Sequence, residues 1–147
     1  MSQNPKSAVP VWYWFIAGVG LLWNLLGCAF FAMELFAQEA MMESMTEPQK
    51  AWARSIPGWI YFVYGLAVST GVAGSVGLLL RKGWTIPLFA ICLAAVIVQM
   101  VYTMLIAGGL QAMGPSGLIM PGLVIGIAAL LLWFSWFARS RGWIGSS

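Results

Sequence analysis

The chain has 147 residues, 61% of them hydrophobic and 7% charged, with a formal net charge of +3 and no histidine. A soluble domain carries about 25% charged residues, so an ordinary cytosolic enzyme and a disordered chain are both excluded. The lack of histidine and of aspartate also removes most hydrolase triads, zinc sites and histidine-ligated haem.

No charge interrupts residues 7–33. A membrane-crossing helix needs about 20 mostly apolar residues, so the first predicted span is 12–35. The run exceeds the roughly 7–15 apolar residues of a signal core, and Leu35-Phe36-Ala37 is a poor cleavage site. It is read as a retained anchor. Residues 36–56 are the longest polar stretch. Thr46-Glu47-Pro48-Gln49 reads as a helix start, with Thr46 as cap and Gln49 completing a capping box. A short helix through Ser55 is expected to lay Trp52 against the membrane interface. The next charge-free run gives a second span at 57–80. Residues 83–138 are also uncharged and hold two more spans, 85–107 and 117–138, separated by Gly108-Gly109 and Gly114-Pro115-Ser116-Gly117. Alternation of the strand kind is missing, which argues against a barrel. The expected fold is all-α, a single integral membrane four-helix bundle over residues 1–147.

Basic residues set the expected orientation. Lys6, Arg81, Lys82, Arg139 and Arg141 fall on one side, and Lys50 and Arg54 on the other. The positive-inside rule then puts both termini in the cytoplasm and Glu34, Glu39, Glu43 and Glu47 outside. Trp12, Trp14, Trp84, Trp133 and Trp136 fit the inner interface, Trp52 and Trp59 the outer one, and Trp23 lies deep. The expected location is the bacterial inner membrane, with membrane lipids as surroundings. No basic cluster with interleaved aromatics exists, so nucleic acid is not an expected partner.

Cys28 and Cys92 differ in predicted depth by roughly 14 Å at 1.5 Å per residue, too far for a disulfide. Met33, Met41, Met42, Met45, Met104, Met113 and Met120 gather in the outer half. Thioethers suit Cu(I), but no cysteine or histidine accompanies them there, and flexible packing is the preferred reading. Glu39 and Glu43, at i,i+4 spacing, read as solvated loop charges.

Small residues let helices approach closely in lipid. Candidate contact glycines are Gly20 and Gly27 on span one, Gly71, Gly74 and Gly77 on span two, and the Gly122–Gly126 GxxxG on span four. They serve either packing within one bundle or, at Gly122–Gly126 above all, contact with another chain.

Counting depth along each helix brings Asn24, Ser69, Thr70 and Gln99 to one level near the midplane. An amide without a partner costs several kcal/mol in hydrocarbon, so Asn24 and Gln99 are expected to face inward and to bond each other or a hydroxyl. Trp23, Tyr64, Tyr102 and Thr103 are candidates to line a solute path beside them. No ionisable group lies in this layer, which disfavours proton-coupled export. Glu34 falls at the outer edge of its span.

The segments Trp23-Asn24-Leu25-Leu26-Gly27, Pro57-Gly58-Trp59, and Gly74-Ser75-Val76-Gly77-Leu78-Leu79-Leu80-Arg81-Lys82 followed by Trp84, together with Tyr102, resemble a family of short bacterial four-span inner-membrane proteins. That family carries the automatic label "sugar transporter", its mechanism uncharacterised. The resemblance implies transport and supplies no catalytic residues. Small multidrug exporters need a carboxylate where Asn24 stands, and thiol-oxidising quinone reductases need a Cys-x-x-Cys that is absent.

Two functions remain open. One is a non-catalytic accessory or structural subunit, docked on other membrane subunits or on itself. The other is a carrier or channel for a small neutral polar solute, sugar-like, acting as an oligomer because four spans enclose little volume. A nucleophile–base pair, metal cluster or phosphate loop is not visible, so no enzymatic role is expected.

Overall fold

The computed structural model describes residues 9–145; Lys6, counted above among the basic residues of one side, lies outside them. Within that range the chain is all-helical. Four helices are long and apolar enough to cross a membrane, the pattern of a multi-pass membrane protein. They are α1 (Val11–Phe36), α4 (Gly58–Leu79), α5 (Thr85–Val101) extended by a π-helical turn (Tyr102–Ile106), and α7 (Ile119–Ser140) preceded by a 3₁₀ turn (Pro115–Leu118). Short helices α2 (Gln38–Met42) and α3 (Glu47–Ser55) join α1 to α4, and α6 (Gly109–Met113) lies between α5 and α7.

Local chemistry sets several boundaries. Pro10 and Pro57 precede α1 and α4, where a fixed φ and a missing N–H do no harm. The capping box at α3 forms as its sequence predicts. The Gln49 N–H donates to Thr46 Oγ1 at 3.4 Å, and the Thr46 N–H donates to Gln49 Oε1 at 3.1 Å. Helices α4 and α7 both end in a left-handed residue with paired reverse bonds. At α4 it is Arg81 (φ 60°), with Lys82 N–H bonded to Gly77 O; at α7 it is Gly142 (φ 76°), with Trp143 N–H bonded to Ala138 O. A non-glycine residue is unusual in that conformation. Arg81 is held there by a bond from its Nε to Trp143 O at 2.8 Å and by the Gly145 N–H on its own carbonyl at 3.0 Å.

Helix α4 packs along α1 and α5, and α5 also packs along α7. The glycines of α4 provide the fit. A Cβ on Gly74 would stand 2.8 Å from the Phe89 ring, and one on Gly77 would stand 2.9 Å from the Trp84 ring. At the end of the bundle where the first and last described residues lie, Tyr13, Ala17, Leu78, Phe89, Leu131, Phe134 and Ile144 form a filled core. Tyr13 donates its hydroxyl to Leu78 O at 2.5 Å, and the Trp12 and Trp143 rings meet edge-on at 5.2 Å. A smaller core of Ala67, Cys92, Ala95 and Val96 seals α4 against α5. Outward faces are apolar: Phe62, Phe15 and Leu22 are 84%, 72% and 67% exposed.

Candidate functional site

Toward the other end, where α2, α3 and α6 lie, the bundle is hollow. A cavity of about 650 Å³ is walled by α1, α4, α5 and α7. Its floor is the top of the filled core, at Phe89 and Leu131. Its roof is built from the connecting segments, through Met41, Met42, Met45, Trp52 and Met113. Lining residues that remain exposed are Leu26 and Phe30 on α1, and Ser116, Ile119 and Met120 at the start of α7. Helices α1 and α7 touch near the floor, where a Cβ on Gly20 would lie 3.1 Å from Leu131 and the Tyr13 and Phe134 rings sit 5.5 Å apart. The opening is therefore lateral, between α1 and α7, among side chains that are apolar apart from Ser116.

Few polar groups face this space. Asn24 is buried and donates through Nδ2 to Gly20 O at 2.8 Å and to Ser75 Oγ at 3.1 Å. Ser75 Oγ in turn donates to Gly71 O at 2.9 Å. The Asn24–Ser75 bond is possible because position 71 has no side chain: a Cβ there would run into the Asn24 amide, standing 2.8 Å from its Cγ. Gln99 is 8% exposed and lines the cavity, yet its side-chain amide has no hydrogen bond among the described residues. Among the described residues Arg81 Nη2 is the one fully buried side-chain nitrogen or oxygen without a partner; the Gln99 amide instead borders the open space of the cavity, so its donor and acceptor are free to bond something there. Glu34, in the last turn of α1, is the single charged residue of the lining. Beside it Gln38 Nε2 donates to Tyr61 Oη at 3.2 Å, and Tyr64 packs its ring 4.8 Å from Phe31.

The roof is tied down through the π turn. There the Ala107 N–H reaches back five residues to Tyr102 O, and Thr103 O accepts the Trp52 indole N–H at 2.8 Å. Gly109 allows the close approach, since a Cβ on it would lie 2.6 Å from Thr103 O. Single π turns of this kind recur at functional sites. Trp52 thus folds onto the bundle, where the carbonyl freed by the π turn offers its N–H a partner. Arg54 and Glu39 form a surface pair at 3.9 Å, a contact that contributes little.

The structure divides the residues singled out from the sequence. Asn24, Gln99, Trp23, Tyr64 and Thr103 line the cavity together. Asn24 bonds Ser75 and not Gln99. Thr70 is buried but bonds back to Leu66 O and Ala67 O of its own helix. Ser69 turns outward, bonds to Gly65 O, and lies in a shallow groove between α1 and α4. Tyr102 is spent on an edge-on contact with Trp59 at 4.9 Å. Gly20, Gly27, Gly71, Gly74 and Gly77 all meet a neighbouring helix, whereas Gly122 and Gly126 have nothing within 4 Å of a notional Cβ. Those two glycines face away from the bundle because α7 turns Ala128, Leu131, Ser135 and Ala138 inward instead. Cys28 and Cys92 are free thiols. Glu34, Gln38 and Tyr61 were not among the candidate lining residues. The signal for Glu34 was the spacing of Asn24, Gly27, Phe30 and Glu34, three or four residues apart and so on one face of α1; Gln38 follows the break at Ala37 and belongs to α2.

No protein family, curated protein or solved structure matches the chain.

Proposed function

We propose that this chain is a multi-pass protein of the bacterial inner membrane, both termini cytoplasmic, which holds a small amphipathic molecule taken from the surrounding lipid. Four long apolar helices and their exposed apolar faces support membrane residence, since patches of that size are untenable in water. The basic residues Arg81, Lys82, Arg139 and Arg141 at the terminal end support the orientation. The observation that carries the functional reading is the 650 Å³ cavity with Gln99 unpartnered in its wall. The volume falls in the usual range of small-molecule sites, roughly 300–1,000 Å³, where an apolar lining with a few placed polar groups is the rule. A sugar-like solute fits poorly, because its many hydroxyls would meet mostly methionine, aromatic and aliphatic side chains. A molecule with an apolar body and a small hydrogen-bonding group fits both the wall and the lateral opening. One chain supplies all four walls of the cavity, which opens to the side, so this reading calls for no second copy.

The test is extraction from native membrane in mild detergent, followed by native mass spectrometry. Wild-type protein should carry a bound small molecule. Ala128→Trp, which fills the cavity from α7, should keep the fold and lose that mass. Bound mass unchanged in Ala128→Trp would refute the reading.

A second reading, docking on another membrane subunit, is favoured by the bare Gly122 and Gly126 face of α7. Small residues spaced in this way permit close helix–helix approach. Gly126→Leu should then release a co-purifying protein, and recovery of the same assembly from that variant would count against it.

A further inference from the structure

The cavity's chemistry is one-sided in charge. Glu34 is its single charged lining residue, and no lysine or arginine faces it. Among the described residues the Glu34 carboxylate has neither a hydrogen bond nor an ion pair; Arg54 goes to Glu39 and Lys50 to Glu47 instead. Glu34 also stands in the last turn of α1, where no basic residue compensates the helix end. The partial negative charge of that end adds to the carboxylate. Phe30, Tyr61 and Tyr64 line the same cavity, and aromatic faces attract cations. Methionines fill much of the remaining outer wall, and their flexible, polarisable thioethers adapt to ligands of different shape. Deeper in, Gln99 offers hydrogen-bonding capacity to an uncharged polar group.

We infer that the occupant of the cavity is a lipophilic cation, a hydrophobic amine or quaternary onium, with its charge set against Glu34 and its apolar body among the methionines. This rests on the reading of the cavity as a ligand site and adds the sign of the ligand's charge. An anionic amphiphile is opposed by the same carboxylate, and a neutral one leaves it unpaired. No proton transfer or chemical step is involved.

Three probes of similar shape separate the possibilities: tetraphenylphosphonium, neutral triphenylphosphine oxide, and anionic tetraphenylborate. Binding is measured by equilibrium dialysis against the full chain in uncharged detergent. Tetraphenylphosphonium should bind saturably and at least about tenfold tighter than the phosphine oxide, and tetraphenylborate should not bind. Glu34→Gln keeps the shape and removes the charge. It should lower phosphonium affinity by about tenfold or more, corresponding to about 1.4 kcal/mol, and leave the phosphine oxide unchanged. Glu43→Gln, an exposed control, should change neither. Equal affinity for the cation and the neutral probe, or no effect of Glu34→Gln on a folded protein, overturns the inference. If both probes bind and Ala128→Trp abolishes both, the ligand site survives without its charge preference. If no probe binds in an Ala128-sensitive way, the proposals of a site and of its charge preference both fall.

Discussion

Gly71→Ala tests the central polar contact most directly. The added methyl would overlap the Asn24 amide and come within 3.4 Å of Cys92 Sγ. Asn24 is packed between Gly20 and Ser75, so it cannot yield without losing the 3.1 Å bond to Ser75 Oγ. Overpacking a filled position costs about 1–3 kcal/mol. A hydrogen bond between membrane helices contributes about 0.6 kcal/mol on average and up to about 1.7. Replacing glycine by alanine within a helix returns up to about 1 kcal/mol. The net loss is about 1–3 kcal/mol, and at roughly 2–4 °C per kcal/mol for a chain of this size the midpoint should fall by several degrees. The assay is thermal unfolding in detergent with a thiol-reactive dye that reports exposure of the buried Cys92. Gly126→Ala, with open space around its Cβ, should leave the stability within about 1 kcal/mol of wild type. The double variant Asn24→Ala/Gly71→Ala should be less damaged than the two single losses combined, because shortening residue 24 removes the overlap. A Gly71→Ala protein as stable as wild type, or full additivity in the double variant, would refute the contact as described.

Trp52→Phe keeps the packing of the roof and removes the bond to Thr103 O. A loss of about 1 kcal/mol should speed amide exchange across Glu47–Ser55 several-fold without a comparable change in α4, measured by hydrogen–deuterium exchange mass spectrometry. Thr46→Ala removes the capping box of α3 and should cost that short helix about 1 kcal/mol, seen as faster exchange at its first turn. The proposed orientation, with both termini inside, predicts that Ser44→Cys in intact cells reacts with an impermeant maleimide. Ser140→Cys should react only after permeabilisation; the reverse pattern would invert the proposed orientation.

The number of long helices follows from the spacing of a handful of charges, because a charge is costly in the middle of an apolar span. The start of α3 follows from local chemistry as well, since Thr46 and Gln49 satisfy each other's backbone N–H groups whatever surrounds them. Asn24 and Gln99, placed at one level by counting residues at a fixed rise, both line the cavity. Rotation was not readable to the same degree. Ser69 and Thr70 are neighbours at one height, yet one faces outward and the other inward, and both close their hydroxyls onto their own helix, so neither reveals its direction by needing a partner.

Composition and charge order alone therefore determined that four oily helices exist and where each begins and ends, since length and burial of charge are properties of one segment at a time. Only tertiary structure decided which sides of those helices meet. Helices apolar all round carry no stripe that marks the inward face, so the outward turn of Gly122 and Gly126, the inward turn of Glu34, and the space left between α1 and α7 arise from how side chains on different helices fit together.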